Sequence, residues 1–255
     1  MMWNASEHDA RDVKNGDFVM VEGMSQFYNS SLQIIVDSLE LAEPGSIDEE
    51  DFVHIDKEQS ERIRGELSAA LLGMKNDHLR DLARSFLEDV DFMKKFSMAP
   101  AAVKNHHAFH GGLIDHVNQL VRLARKVAED YDELDDDLLM MGAFLHDVGK
   151  INELTYERDL GYSDEGQLIG HLVMGVHILE KQIEKLNATK DQTFPTELAL
   201  QLKHMIVSHH GRYEYGSPKV PMTLEAIALP YLDDVDAKHQ NFRTLMSEDS
   251  NTGSV

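Results

Sequence analysis

From residue 56 to about residue 246 apolar side chains recur with the 3.6-residue period of an α-helix, and this pattern constrains the fold more than any other feature of the chain. Ile63, Leu67, Leu71 and Met74 form one stripe. Leu79, Leu82, Phe86, Val90 and Met93 form a second, with Asn76 or Asp77 placed to cap its helix. The clearest stripe is Val117, Leu120, Val121, Ala124, Val127, Ala128 and Tyr131. Further helices are expected at about 136–150, 168–186, 196–208 and 223–241. The last contains Pro230, which should kink that helix or delay its start. The expected class is therefore mainly α, a helical bundle.

Upstream, residues 17–42 read as extended structure. Phe18, Val19 and Val21 precede a polar turn at Asn29, Ser30 and Ser31, and Leu32, Ile34, Ile35 and Val36 follow it. That is a hairpin, with room for two or three short strands. A lone hairpin is marginal in water, so it must pack on the rest of the chain or on a partner. Pro44, Gly45 and Ser46, then Asp48 to Asp51, mark a boundary. The expected organisation is a small β segment and linker over 1–55, a helical domain over 56–246, and a polar, disordered tail over 247–255. No internal repeat is visible.

Composition narrows the function classes. At 255 residues and 42% hydrophobic the chain can bury a substantial core. Its 46 acidic against 24 basic residues leave a net charge of −22, which disfavours a general nucleic-acid coat and an anionic membrane surface. The run from Glu129 to Asp137 reads as a solvated loop. There is no cysteine, so a metal would rest on His, Asp and Glu. No apolar stretch is long enough for a membrane span and the N-terminus lacks a signal-peptide pattern, so the cytoplasm is the expected location.

Fourteen histidines are many for this length, and eleven lie from His106 onward. One alone would mean little, but their placement is systematic. His116 opens a helix after Gly111 and Gly112, and His146-Asp147 ends another and runs into Val148-Gly149-Lys150. His171 follows Gly170, His209 and His210 end a further helix, and Asp233 and Asp236 share a face of the last one at i, i+3. Polar groups on otherwise apolar helices cost several kcal/mol unless they have partners, roughly 2–7 each. Scattered ligands near helix ends are how a bundle assembles an interior metal site.

The spacing His116, His146-Asp147, Asp233 resembles the H…HD…D pattern of HD-domain phosphohydrolases. His106-His107 before Gly111-Gly112-Leu113, the sequence HDVGK at 146–150, Gly170-His171, SHHG at 208–211 and Tyr215 to Pro218 sharpen the match. Together with the stretch 233–238 they resemble the YhaM-type 3′-to-5′ exoribonucleases over about residues 15–245. Members of that family carry an N-terminal OB-fold, a five-stranded barrel that grips single strands, whereas 17–42 has room only for its later strands. The resemblance implies an HD-domain bundle with a partial OB-like segment, and two divalent ions. His116, His146, Asp147 and Asp233 would hold one ion, with Asp147 bridging to a second held by His171, His209 and His210. The ligand types suit Mn²⁺, Fe²⁺ or Ni²⁺, with Mn²⁺ the expected ion, and are compatible with Zn²⁺, Mg²⁺ or Co²⁺.

Lys150 is the candidate for stabilising charge on a transferring phosphate, beside Asp147. His107, with His106 and His110, is placed to contact the scissile phosphate or protonate the leaving oxygen. Arg212, Tyr215 and Lys219, with Tyr213 between, form a candidate basic and aromatic rim for a nucleotide. The expected substrate is a phosphate ester, either short single-stranded RNA or a nucleotide, with no membrane partner. Three readings follow: an exoribonuclease or oligonucleotidase; an HD-type nucleotidase or cyclic-nucleotide phosphodiesterase; and a non-catalytic nucleotide-binding module. Open strand edges also suggest a homo-oligomer.

Overall fold

The structure, a computed structural model, describes residues 13–14, 17–28, 31–43, 45–47, 57–103, 109–156, 160–189 and 193–248. The chain divides into two units, one holding the hairpin and the other the helices.

The hairpin has two strands, β1 (Val19–Tyr28) and β2 (Ser31–Leu41), paired antiparallel from Val19↔Leu41 to Tyr28↔Ser31. A bulge lies where Glu22 pairs with Ser38 and Gly23 with Val36. Side chains alternate across a sheet. The pairs Phe27–Leu32, Gly23–Val36, Val21–Leu39 and Val19–Leu41 therefore share one face with Ile34, and that face is largely apolar.

In the helical unit, α1 (Lys57–Leu72), α2 (Asp77–Leu87) and α3 (Val90–Met98) precede α4 (Gly112–Ala128) and α5 (Asp136–Leu145). Asn76 caps α2, accepting from the backbone N–H groups of His78 and Leu79 at 3.0 and 3.2 Å. Phe86, Phe92 and Phe96 from α2 and α3 gather around Phe144 of α5, with Phe86 and Phe96 each 5.6 Å from it between ring centroids. Burying one such ring contributes about 1.5–3 kcal/mol. Phe144 is two residues before His146, so this cluster fixes the end of α5.

Four expectations change, the first being that the stripe from Leu79 to Met93 spans two helices, α2 and α3, divided where Asp89 caps α3. The helix expected over 136–150 stops at Leu145, and the chain tightens into three-residue turns before a short α6 (Lys150–Glu153). Val148 N–H donates to Leu145 O, and Lys150 N–H to Asp147 O. The cause is a close approach by the next long helix: a Cβ on Gly149 would lie 2.0 Å from the backbone oxygen of His171. The helix expected over 168–186 is two helices, α7 (Asp164–Ile169) and α8 (His171–Thr189), divided at Gly170, whose φ is +80°. A two-residue ladder of β3 (Leu154–Thr155) and β4 (Gly161–Tyr162) leads into them. Finally, part of the acidic run is not a solvated loop. Asp135 caps α5, accepting from Leu138 N–H at 2.9 Å, and Asp137 is buried, accepting from Asn76 N–H at 2.6 Å. Carboxylates at a helix N-terminus satisfy its free N–H groups and its dipole.

The last elements are α9 (Thr196–Ser208), a 3₁₀ turn at Tyr213–Tyr215 and α10 (Leu224–Glu248). Pro230 lies inside α10, which is helical on both sides of it and begins at Leu224, ahead of the proline. No helix of the described residues is long and apolar enough to cross a membrane.

Candidate metal centre

Five parts of the helical unit deliver polar side chains to one buried point. His116 comes from the second turn of α4, His146 and Asp147 from the turns after α5, and His171 from the first residue of α8. His209 and His210 follow α9, and Asp233 projects from α10. Adjacent residues of a regular helix do not face the same way. The tightened turn after Leu145 lets His146 and Asp147 do so.

The side chains form two groups that share one carboxylate. Oδ2 of Asp147 lies 3.3 Å from Nε2 of His146 and 3.9 Å from Nε2 of His116, whose Nε2 is also 3.2 Å from Asp233. Oδ1 of Asp147 lies 3.6 Å from Nε2 of both His171 and His209. His171 and His210 approach at 3.2 Å, again through Nε2.

Every one of the five rings is held by its other nitrogen. Nδ1 of His116 is 2.8 Å from Asp236 Oδ2, and Nδ1 of His171 is 3.0 Å from Glu153 Oε1. His146, His209 and His210 reach the backbone oxygens of Ala143, Ile206 and Tyr215 at 2.8, 2.8 and 2.9 Å. These acceptors assign the proton to Nδ1 and leave Nε2 as a lone pair facing inward, the arrangement that outer partners impose on metal-binding histidines. Nε2 atoms then face each other at 3.3 Å in the His116–His146 pair and at 3.2 Å in the His171–His210 pair. Facing lone pairs repel unless a cation or a proton lies between them. Oδ1 of Asp147 is also buried without a hydrogen-bond partner, a costly state that coordination would relieve. The donor set therefore fits divalent metal: His116, His146 and Asp147 are one group able to hold an ion, and His171, His209 and His210 another.

Electrostatics agree. Burial alone would push Asp147 up, but Lys150, at 2.6 Å, and then His146 hold it well below the carboxylate range. Burial is likewise outweighed at Asp233, which His116 and His146 keep low. Burial lowers His209 to about 4, against the pull of Asp147, so its ring is neutral. His116 is the exception: burial lowers it, but Asp233 and Asp236 overcome this and raise it to about 9. The surrounding carboxylates therefore favour positive charge at this position.

The centre opens into a cleft of about 710 Å³ lined by His209, His210 and Asp233 on one side and by Arg212, Tyr215 and Tyr231 farther out. Arg212 lies over the Tyr215 ring at 5.8 Å. Lys219 is exposed nearby and is not among the residues lining the cleft. His110 stands half-buried in the turn before α4, while His106 and His107 lie outside the described residues. Sequence reasoning missed Glu153 and Tyr231. A carboxylate kept between Ile151 and Leu154, both buried, was the available signal for Glu153. Tyr231 carried none.

The HD domain family matches residues 113–238, which span α4 to α10 and contain the whole cluster. Over 238 residues the chain is 34% identical to the 3′-5′ exoribonuclease YhaM of Geobacillus sp. (strain WCH70), covering 93% of this chain and 71% of that protein. The same enzyme from Bacillus subtilis (strain 168) is 33% identical and that from Bacillus pumilus (strain SAFR-032) 34%, each over 93% of this chain and 73% of the relative. No solved structure gives a significant match. A helical bundle that gathers histidines and aspartates in this way is an HD-type metal-dependent phosphohydrolase. Within that class the chain belongs to the YhaM family.

Proposed function

We propose that the chain is a 3′-5′ exoribonuclease that works with two divalent ions, Mn²⁺ being one that its imidazole and carboxylate ligands suit. The observation that carries this reading is Asp147, which turns one carboxylate oxygen toward each histidine group. His116, His146, Asp147 and Asp233 would hold one ion, and His171, His209 and His210 the other with Asp147 shared. Such a pair of ions supplies an activated water and neutralises charge on the phosphate.

The protein's own groups do the rest. A phosphodiester entering the cleft meets His210 and Asp233 at its inner end. Lys150 stays an ammonium: burial opposes this, but Asp147 holds its pKa above that of an ordinary lysine. That fixed charge suits the transferring phosphate. Arg212 and Tyr215 would hold the adjoining nucleotide by charge and stacking, with Tyr231 as a further ring in the cleft and Lys219 beyond it. His107, with His106 and His110, keeps the role of meeting the phosphate or protonating the leaving oxygen.

The net charge of −22 favours a second reading, an HD-type nucleotidase or cyclic-nucleotide phosphodiesterase, because it repels long polyanions. One assay separates them: 5′-labelled single-stranded RNA, matching DNA and a nucleotide panel, each with Mn²⁺ and with chelator. The exoribonuclease reading expects a Mn²⁺-dependent ladder shortening from the 3′ end of RNA. Turnover confined to small nucleotides would establish the second reading instead.

A further inference from the structure

An acidic protein that degrades RNA needs a local region where the chain of phosphates is welcome. One such region lies outside the cleft, on the other side of α10. There α4 and α10 leave a groove of about 270 Å³, walled by Arg122 and Lys126 from α4 and His239 from α10. Leu123 and Val235 give it an apolar floor on which long cationic stems can lie.

We propose that this groove binds the sugar–phosphate backbone of single-stranded RNA upstream of the 3′ end, an inference that rests on the exoribonuclease reading. Three observations carry it. First, the charge is local: the chain has 46 acidic and 24 basic residues, yet the one carboxylate in the groove is Asp236, which is buried and engaged by His116. Second, the cations are available. Arg122 is exposed and forms only a long ion pair, 3.8 Å, with Glu66, which also binds Arg62 at 2.7 Å and Asn118 at 3.2 Å. Lys126 is exposed and has no carboxylate partner among the described residues. Third, the groove is close to the chemistry. Asp236 lines it and also holds His116, so one side chain separates groove from centre.

Arg122 and Lys126 are one helical turn apart, so they suit successive charges along a strand. A guanidinium takes a phosphate through two N–H groups and an ammonium takes one as a point charge. A strand with its 3′ end in the cleft must pass the width of one helix, about 10 Å, to reach the groove. A dinucleotide does not extend that far.

The test is steady-state kinetics of the full chain with Mn²⁺ on 5′-labelled single-stranded RNAs of two and twelve nucleotides, comparing wild type with R122E/K126E. The groove predicts a KM for the longer RNA raised about tenfold or more, kcat unchanged, and identical kinetics on the dinucleotide. The dependence of log KM on log salt should flatten by about 0.7 for each phosphate that the variant no longer neutralises. Equal KM values for the longer RNA in both proteins overturn the groove. Tighter or equal binding of poly-glutamate, measured by competition against the labelled RNA, also overturns it in favour of an acidic protein partner. If wild type cleaves neither RNA, the exoribonuclease reading itself fails, a distinct result. R122K/K126R should restore the wild-type KM, which separates loss of charge from misfolding.

Discussion

Nδ1 of His116 donates a 2.8 Å hydrogen bond to Asp236, and this turns Nε2 of the same ring toward Asp233, 3.2 Å away. The two aspartates, one helical turn apart on α10, thus hold opposite ends of one imidazole. Outer partners of this kind set tautomer and orientation, and losing one lowers metal affinity or activity roughly 10–100-fold. D236A should show a loss in that range, by Mn²⁺ titration calorimetry and by turnover. D236N keeps an acceptor oxygen and should lose less. Equal losses would mean that the charge, not the orientation, is what Asp236 supplies.

Asp147 belongs to both histidine groups. D147N removes a negative charge from each, so its effect should exceed that of any outer partner, more than about 100-fold in kcat. The protein should remain folded by circular dichroism, because the amide fills the same space. Retention of most activity in D147N would remove the basis of the two-ion reading.

Gly149 touches the first residue of α8. A Cβ there would meet the His171 backbone oxygen at 2.0 Å, so G149A must move the ligand-bearing end of that helix. Overpacking of this kind costs about 1–3 kcal/mol. The expected result is a lower melting temperature, with Mn²⁺ stabilising the variant less than the wild type.

Asp89 supplies a pH-dependent part of stability. Its carboxylate pairs with Lys185 at 2.8 Å and accepts from Phe92 N–H at 3.1 Å, capping α3. The hydrogen bond to Lys185, helped by the one from Phe92, holds its pKa below the usual aspartate value against a smaller opposing effect of burial. A lowered folded-state pKa means stability that is present above the unfolded value, about 3.9, and lost as pH falls through the folded one. D89A should cost about 1 kcal/mol at pH 7. The gap in melting temperature between the two proteins should close below about pH 4.

The sequence revealed elements with a regular stripe and a clear stop. Thr196–Ser208 is such a case, coinciding with α9, its end marked by His209, His210 and Gly211. It hid the break after Leu145, because Val148, Ile151 and Leu154 continue an apolar spacing through it. What stops the helix is its meeting with α8, more than twenty residues later. The site followed the same rule. Histidines at helix ends, with HD adjacent, could be read from spacing, and the structure brings all seven expected ligands to one place. Spacing also offered Asp233 and Asp236 equally, and only the position of α4 decides which faces Nε2 of His116. Glu153 acquires its purpose from His171, eighteen residues away, and no local pattern carries that.

The bulge in the hairpin has a consequence for chain length. Leu32, Ile34 and Val36 keep even spacing, while Leu39 and Leu41 are out of step by one residue, and the irregularity beside Asp37 brings them back to a common face. Asp37 is thus a spare position. A chain lacking it would pair β1 with β2 in unbroken alternation, so this hairpin can shorten by one residue without exchanging its two surfaces.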